Sequence, residues 1–405
     1  MKILLSAYAC EPNHGSEPGV GWNWAIALAK LGHKVCVLTR KSNRNSIEKV
    51  IKNCELYGKL DFIYYDLPFW LSWWKKGRRG VHLYYFLWQL GVFTLAKQVH
   101  KREKFDLVHH VTFVSLRQPS FMGLLGIPFI FGPVGGGERA PFQLRASYGV
   151  VGYFKDLVRD IINHLVKLDP FMWITFHTSS QIYVTSSQSM ALIPAIYHYK
   201  TDIELGVATD NISFESLSKQ PFLDEKQFHL VYVGQFLYWK GGIIALRAFA
   251  KFLEKNPDSI FTFVGQGPDE KKWKKEACSL GVENKIKWVR WLNQAELHQI
   301  YSSNDMMLYP SLHDSGGMVV LEALSAGLPV LCLKLGGPGE IVNDNCGMAI
   351  SVKNKKNHEI IQDISNHLYM FSTHKDKLTN LREGAIKRAN DLTWEKKVCR
   401  IYKST

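Results

Sequence analysis

Along this chain, short continuous runs of apolar residues alternate with longer stretches in which apolar positions recur every three to four residues. Residues 2–9 (KILLSAYA) form one such run, 11–21 are rich in Gly and Pro, and 22–31 carry apolar side chains at helical spacing until Gly32 stops them. A second apolar run, KVCVLT, follows at 34–39. Strand, loop, helix and strand within forty residues imply a parallel pair, because a crossover helix returns the chain to the same end of a sheet. The pattern recurs at 105–109, 128–131 and 181–185, and a second series runs through 229–233, 259–264, 285–289, 306–309 and 329–333. Between them, 206–226 (GVATDNISFESLSKQPFLDEK) is polar, turn-prone and without periodicity, which marks an interdomain linker. The expected fold class is therefore α/β, with two Rossmann-like doubly wound domains at 1–205 and 227–385. Ligands of such sheets bind outside the carboxyl ends of the strands, here expected in a cleft that the two domains face.

Composition narrows the class without changing this picture. A chain of 405 residues, 46% hydrophobic and 21% charged, is too long for one ordinary core and too apolar for disorder. Seven scattered cysteines with no C-x-x-C pair imply neither a disulfide framework nor a zinc site, and point to a reducing compartment. The apolar start meets Glu11 and Pro12 too soon for a signal sequence, so a cytoplasmic protein is expected. The net charge of +14 is uneven: residues 1–200 carry 24 Lys and Arg against 12 Asp and Glu. An anionic partner for that half, either nucleic acid, a membrane surface or a substrate, competes with a basic surface that is simply solvated.

The segment 309–330, YPSLHDSGGMVVLEALSAGLPV, holds the clearest chemistry. A strand ends at Tyr309, a loop carries Asp314, Gly316 and Gly317, and a helix begins at Met318. Glycines before a helix start let its free amides approach a phosphate closely. Glu322, little more than a turn into that helix, is placed to accept hydrogen bonds from a vicinal diol such as a ribose, although an acid there also serves simply as a dipole partner.

The extended string resembles the Glu-x7-Glu signature of the family 4 retaining glycosyltransferases of GT-B fold, with Asp314 as the first acid and Glu322 as the second. VGQFLYWKGG (233–242) looks like the phosphate loop of that family, VGQGPDEKKW (264–273) like its Gly-x-Gly-Pro turn, and LGGPGEIV (335–342) like its Gly-Gly-x-x-Glu turn. SEPGVGWNWA (16–25) and GPVGGGE (132–138) resemble loops of a bacterial branch, and TWEKKVCRIYK (393–403) a last helix, within 386–405, that crosses back to the first domain. The resemblance implies transfer of a sugar, with retention, from a UDP- or GDP-sugar to a lipid-linked acceptor or a surface glycan in bacterial polysaccharide synthesis. Lys240 then contacts the departing diphosphate together with the amides of Gly316, Gly317, Met318 and Val319, while Asp314 lies beside the transferred sugar. Gln235 stands where the family has an arginine, so leaving-group stabilisation is reduced. Gly19 and Gly21 match a loop under the donor phosphates. Either His109 or His110 matches a histidine near sugar and acceptor. Glu17 and Glu138 are placed to read sugar or acceptor hydroxyls or, equally, to cap a turn. The sequence contains no Asp-x-Asp to hold a cation, so no metal or other cofactor is expected.

The stretch 69–105 is unlike its surroundings. Trp70, Trp73 and Trp74 stand beside Lys75, Lys76, Arg78 and Arg79, ahead of an apolar run of some 16 residues that Gln89 interrupts and that falls short of the ~20 residues needed to span a bilayer. Tryptophan with lysine and arginine marks an interfacial segment on anionic lipid, so a peripheral position on the inner face of the cytoplasmic membrane is expected. A core helix flanked by a basic loop reads equally well. Single-stranded nucleic acid would also suit interleaved basic and aromatic residues, but no nucleic-acid module is recognisable and none is expected as a partner. A second reading of the whole chain is a catalytically weak sugar-nucleotide-binding subunit that assists a partner transferase.

Overall fold

The computed structural model describes residues 1–13, 15–77, 79–113, 115–210, 227–290 and 292–403. Its contacts divide the chain into two compact units, one of 1–137, 160–207 and 394–405, the other of 138–159 and 208–393. The stretch 138–159, expected in the first domain, thus packs with the second unit. The last helix packs with the first. Of the expected linker, 211–226 lies outside the described residues, as does Arg78; Thr209 is bridged to Thr393 within the second unit.

The first unit holds a seven-stranded sheet, β1 (Lys2–Ala7), β2 (Lys34–Thr39), β3 (Leu60–Tyr64), β4 (Leu107–Thr112), β5 (Phe129–Val134), β6 (Gln181–Val184) and β7 (Thr201–Ile203), in the order β3-β2-β1-β4-β5-β6-β7. Every pairing is parallel, with Leu4 opposite Cys36 on one side and Val108 on the other. All of β4 and β5 is buried, as central parallel strands covered on both faces must be. The second unit repeats the design with β8 (His229–Val233), β9 (Ile260–Val264), β10 (Ile286–Val289), β11 (Met306–Tyr309), β12 (Val330–Leu333) and β13 (Gly347–Ile350), ordered β10-β9-β8-β11-β12-β13 and parallel throughout.

The first helix, α1 (Ser16–Lys30), begins six residues before the expected position at 22. The Gly-rich segment is its first turns rather than a loop: at Gly21 a Cβ would lie 2.1 Å from the Ala9 carbonyl oxygen, so the glycine serves the close passage of helix over strand end. Within 69–105, a single turn at Phe69–Ser72 precedes α2 (Val81–Glu103), whose Tyr84, Tyr85, Trp88, Val92, Ala96 and Val99 recur at helical spacing and enter the core of the first unit. The helix is a core helix, and Phe69, Trp70 and Trp73 ahead of it are exposed. Among the described residues no helix is long and apolar enough to cross a membrane. Two further helices, α3 (Val150–Leu165) and α4 (Pro170–Thr178), follow β5, the second opened by Asp169, which caps the amides of Phe171 and Met172.

In the second unit α5 (Gly242–Leu253) follows β8, α6 (Gln294–Ser302) opens with an Asn293–Glu296 capping box, and α7 (Met318–Ser325) and α8 (Gly336–Ile341) follow β11 and β12. The final helix, α9 (Trp394–Lys403), lies against α1, where Trp394 meets Trp24 edge-on at 6.0 Å. Its Lys397 is fully buried, with the ammonium donating to the carbonyls of Leu205 and Val207.

Candidate functional site

The strand order of the second sheet turns back between β8 and β11, with β9 and β10 on one side and β12 and β13 on the other. The loops after β8 and β11 therefore diverge at the carboxyl edge of the sheet, the place where α/β sheets take ligands. The β8 loop brings Lys240 and the β11 loop brings Asp314. They touch because Gly241, at φ 78°, stands where a Cβ would lie 1.9 Å from the Pro310 carbonyl oxygen, so only glycine lets one loop close on the other.

Asp314 is held from every side. Its Oδ2 accepts from the Lys240 ammonium at 2.6 Å and from the Tyr309 hydroxyl at 2.7 Å, and its Oδ1 accepts from the amides of Gly316 and Gly317 at 3.2 Å each. Lys240 also donates to Tyr309 at 2.9 Å. Burial works against the carboxylate charge, yet the Lys240 charge and these bonds outweigh it and hold Asp314 below its ordinary value. Burial and then the Asp314 charge push the Tyr309 phenol well above its own, so it stays a neutral donor. Gly317, at φ 67°, leads into α7, whose first residues Met318 and Val319 are half-buried. The arrangement sets one ammonium group beside the positive end of a helix.

Two neighbours close the loop from outside. Gly336, at φ 54°, passes the Asp314 carbonyl so closely that a Cβ would stand 2.3 Å from its oxygen and 3.0 Å from Cγ of Glu138. The Gly337 amide donates to that same carbonyl at 2.8 Å. Glu138 is almost wholly buried against this turn, and its own carbonyl accepts from Arg159 at 2.8 Å. Before Asp314, the His313 ring stacks on Trp239 with centroids 5.3 Å apart and is 3.1 Å from Asp156 of α3, which also lies 3.6 Å from Arg145. Burial lowers the His313 pKa despite Asp156, and the charges of Arg159 and Lys240 act in the same direction. Glu322 sits on α7 with Oε2 accepting from the Tyr301 hydroxyl of α6 at 3.3 Å, and burial raises its pKa. Gln235 is exposed at the start of the β8 loop.

The structure thus brings together Lys240, Asp314, Gly316, Gly317 and Glu138, with Met318, Val319 and Glu322 on the adjoining helix. Tyr309, His313, Asp156 and Trp239 also belong to this cluster and were missed. Only the position of Tyr309 at a strand end offered any hint of it.

In the first unit Glu17 is half-buried in the first turn of α1, where its charge reaches Tyr8 and Tyr85, and Gly19 is buried within the helix. The expectation of an available histidine on β4 is corrected. His109 and His110 are fully buried on opposite faces of the strand with both ring nitrogens engaged. His109 bonds to the Tyr402 hydroxyl at 2.5 Å and the Gly132 carbonyl at 2.7 Å, and His110 to Tyr85 at 2.8 Å and Ser6 at 2.9 Å. Burial lowers the pKa of each to about 3. Both are neutral core residues in this arrangement.

Two parallel sheets flanked by helices, each in its own unit, are the architecture of the GT-B fold. Anabaena HepE, solved in complex with UDP and glucose, has this fold, with a TM-score of 0.60 at 16% identity over 100% of this chain and 99% of its own. Residues 213–387 match the family model for glycosyl transferases group 1. An uncharacterized glycosyltransferase of Methanocaldococcus jannaschii is 34% identical over 29% of this chain and 30% of its own length. A D-inositol 3-phosphate glycosyltransferase of Corynebacterium aurimucosum is 25% identical over 41% and 39%. The matched region spans well under half the length of these relatives.

Proposed function

We propose that this protein transfers a sugar from a UDP- or GDP-sugar, with retention of anomeric configuration, to a lipid-linked acceptor or surface glycan at the cytoplasmic face of a membrane. The observation that carries the reading is the Lys240–Asp314 pair at the start of α7, with Glu322 little more than a turn beyond it. Transfer moves negative charge onto the departing diphosphate, and a preorganised ammonium with helix amides stabilises that charge as it grows. Without substrate the Lys240 charge is spent on Asp314, so an incoming diphosphate competes with that acid for it. Arg159, whose charge is felt at His313, adds to the positive field that Gln235 leaves short. Glu322 takes the ribose hydroxyls. The complex of HepE with UDP and glucose supports a uridine nucleotide as donor. The exposed Trp70 and Trp73, with the exposed Lys76 and Arg79, support a peripheral membrane position.

A second reading, a weakly catalytic sugar-nucleotide-binding subunit, is favoured by the pairing of Lys240 with Asp314 and by Gln235. A panel of nucleotide sugars separates the two. Binding of one donor together with its hydrolysis or transfer, and an unchanged anomeric configuration by NMR, supports the transferase; binding with no turnover supports the subunit. An inverted product removes the chain from the retaining family 4.

A further inference from the structure

Beside Asp314, one ring nitrogen is held in place with nothing to bond. The His313 ring is only 8% exposed, stacks on Trp239, and has Nε2 3.1 Å from Oδ1 of Asp156. Asp156 is itself 1% exposed; burial opposes its charge, but the bond to His313 and the charges of Arg145 and Arg159 keep it below the ordinary carboxylate value. An ionised carboxylate can only accept, so Nε2 carries the ring proton and donates it to Asp156. Burial, helped by the charges of Arg159 and Lys240, prevails over Asp156 and keeps the ring from taking a second proton. Nδ1 is therefore a lone pair, without a hydrogen bond to any described residue and not sealed from solvent. The backbone fixes its place as well: the Leu312 amide donates to the Trp239 carbonyl at 2.8 Å, tying the β8 loop to the residue just before His313.

We propose that Nδ1 of His313 accepts a hydrogen bond from a hydroxyl of the transferred sugar, which makes His313 a specificity-determining residue of the donor site. The assignment rests on the reading of Lys240 as the contact of the departing diphosphate. Chemistry selects the group that Nδ1 can take. An ionised phosphate has no proton to donate, so a nitrogen lone pair calls for an O–H or N–H donor instead. In a sugar nucleotide with its diphosphate at Lys240, the ribose hydroxyls go to Glu322, further along α7. The sugar is bonded directly to the diphosphate, and the His313 ring is close enough to Lys240 to feel its charge. A hydroxyl of that sugar is the donor this leaves within reach. Asp156 takes part only through the ring, as a positioning residue that fixes the tautomer. A site built to bond a hydroxyl rejects the analogue that lacks it, because the enclosed polar group is then left unpaired.

Calorimetry on the full chain tests the proposal, with UDP-glucose, GDP-mannose, the monodeoxy analogues of each, and UDP and GDP alone. In wild type, one monodeoxy analogue of the sugar nucleotide that binds is expected to bind on the order of tenfold more weakly than its parent, the worth of one hydrogen bond. H313F keeps a flat ring to stack on Trp239 but has no acceptor. It is expected to lose the same factor on the parent and nothing further on that analogue, so that the two bind alike, with the affinity for the bare nucleotide kept. H313N, whose amide oxygen can accept, is expected to restore part of the difference. A loss by the same factor on the parent and on every analogue, or on the bare nucleotide, overturns the proposal, because the ring would then only support the Asp314 loop. So does an H313F variant that binds every donor as wild type does and is impaired only in transfer, which would turn the lone pair toward the acceptor. Wild type that binds no sugar nucleotide removes the proposed reaction and this assignment with it, whereas binding that is indifferent to His313 removes the assignment alone.

Discussion

In Asp314 the stability of the loop and the proposed reaction meet in one carboxylate. Four donors converge on it, so Asp314→Asn leaves Lys240 largely enclosed without its counter-charge, and a loss of about 2 kcal/mol of stability is expected. The pH dependence has a definite sign. Asp314 titrates below the ordinary 3.8, so its contribution is fully present above the usual carboxylate range and fades as pH falls through the lower folded value. Acid titration of stability in wild type and variant checks this: the slope in that window should flatten in Asp314→Asn, and identical slopes would remove the pair from the account. Glu322 titrates above its ordinary value because of burial. Nucleotide affinity should therefore weaken on acidification already above the usual carboxylate range. Glu322→Ala should lower nucleotide affinity by ~1.5–3 kcal/mol, the worth of hydrogen bonds to a charged acceptor, with the fold kept. Calorimetry with the nucleotide decides it, and equal affinity would place the ribose elsewhere.

At the level of elements, the buried amine of α9 gives the next test. Burial lowers Lys397 to about 7, opposed by the charge of Glu204. Between that value and the ordinary lysine range the unfolded chain holds a proton that the native chain has given up, so stability should rise with pH through this window. Lys397→Met should abolish that rise and strand two buried carbonyls, costing roughly 2 kcal/mol; a variant with an undiminished rise would show that another group titrates there. The central strands were legible because parallel strands covered on both faces read as unbroken apolar runs. β3, β7 and β13 were not expected, being short and largely half-exposed or exposed. The start of α1 was hidden by glycines that favour loops, where the actual demand is close passage over Ala9. Lys240, Asp314 and the glycine turn were legible from motif order. The two histidines were misplaced because sequence order does not reveal that both faces of β4 are covered. Helix α3 defeats a reading from periodicity altogether: its spacing is amphipathic, but Arg145 and His313 draw Asp156 inward and leave the apolar side out.

For the molecule as a whole, the proposed reaction depends on fixed charge. Turnover should persist in excess chelator, because Lys240 and the start of α7 provide the counter-charge; a strict requirement for magnesium or manganese would show the charge account to be incomplete. The path of the chain also sets an order of assembly. Trp394, Lys397 and Tyr402 complete a unit whose other parts end at Val207, and 190 residues separate Lys397 from Val207. At translation rates of about 5–20 residues per second, the nascent first unit waits roughly ten to forty seconds for its closing helix. Through that interval Trp24 and the ring of His109 lack their aromatic cover, while the second unit, complete by Thr393, already has all its strands. The half made first is thus the half finished last, and the period of greatest exposure to chaperones and proteases falls on it.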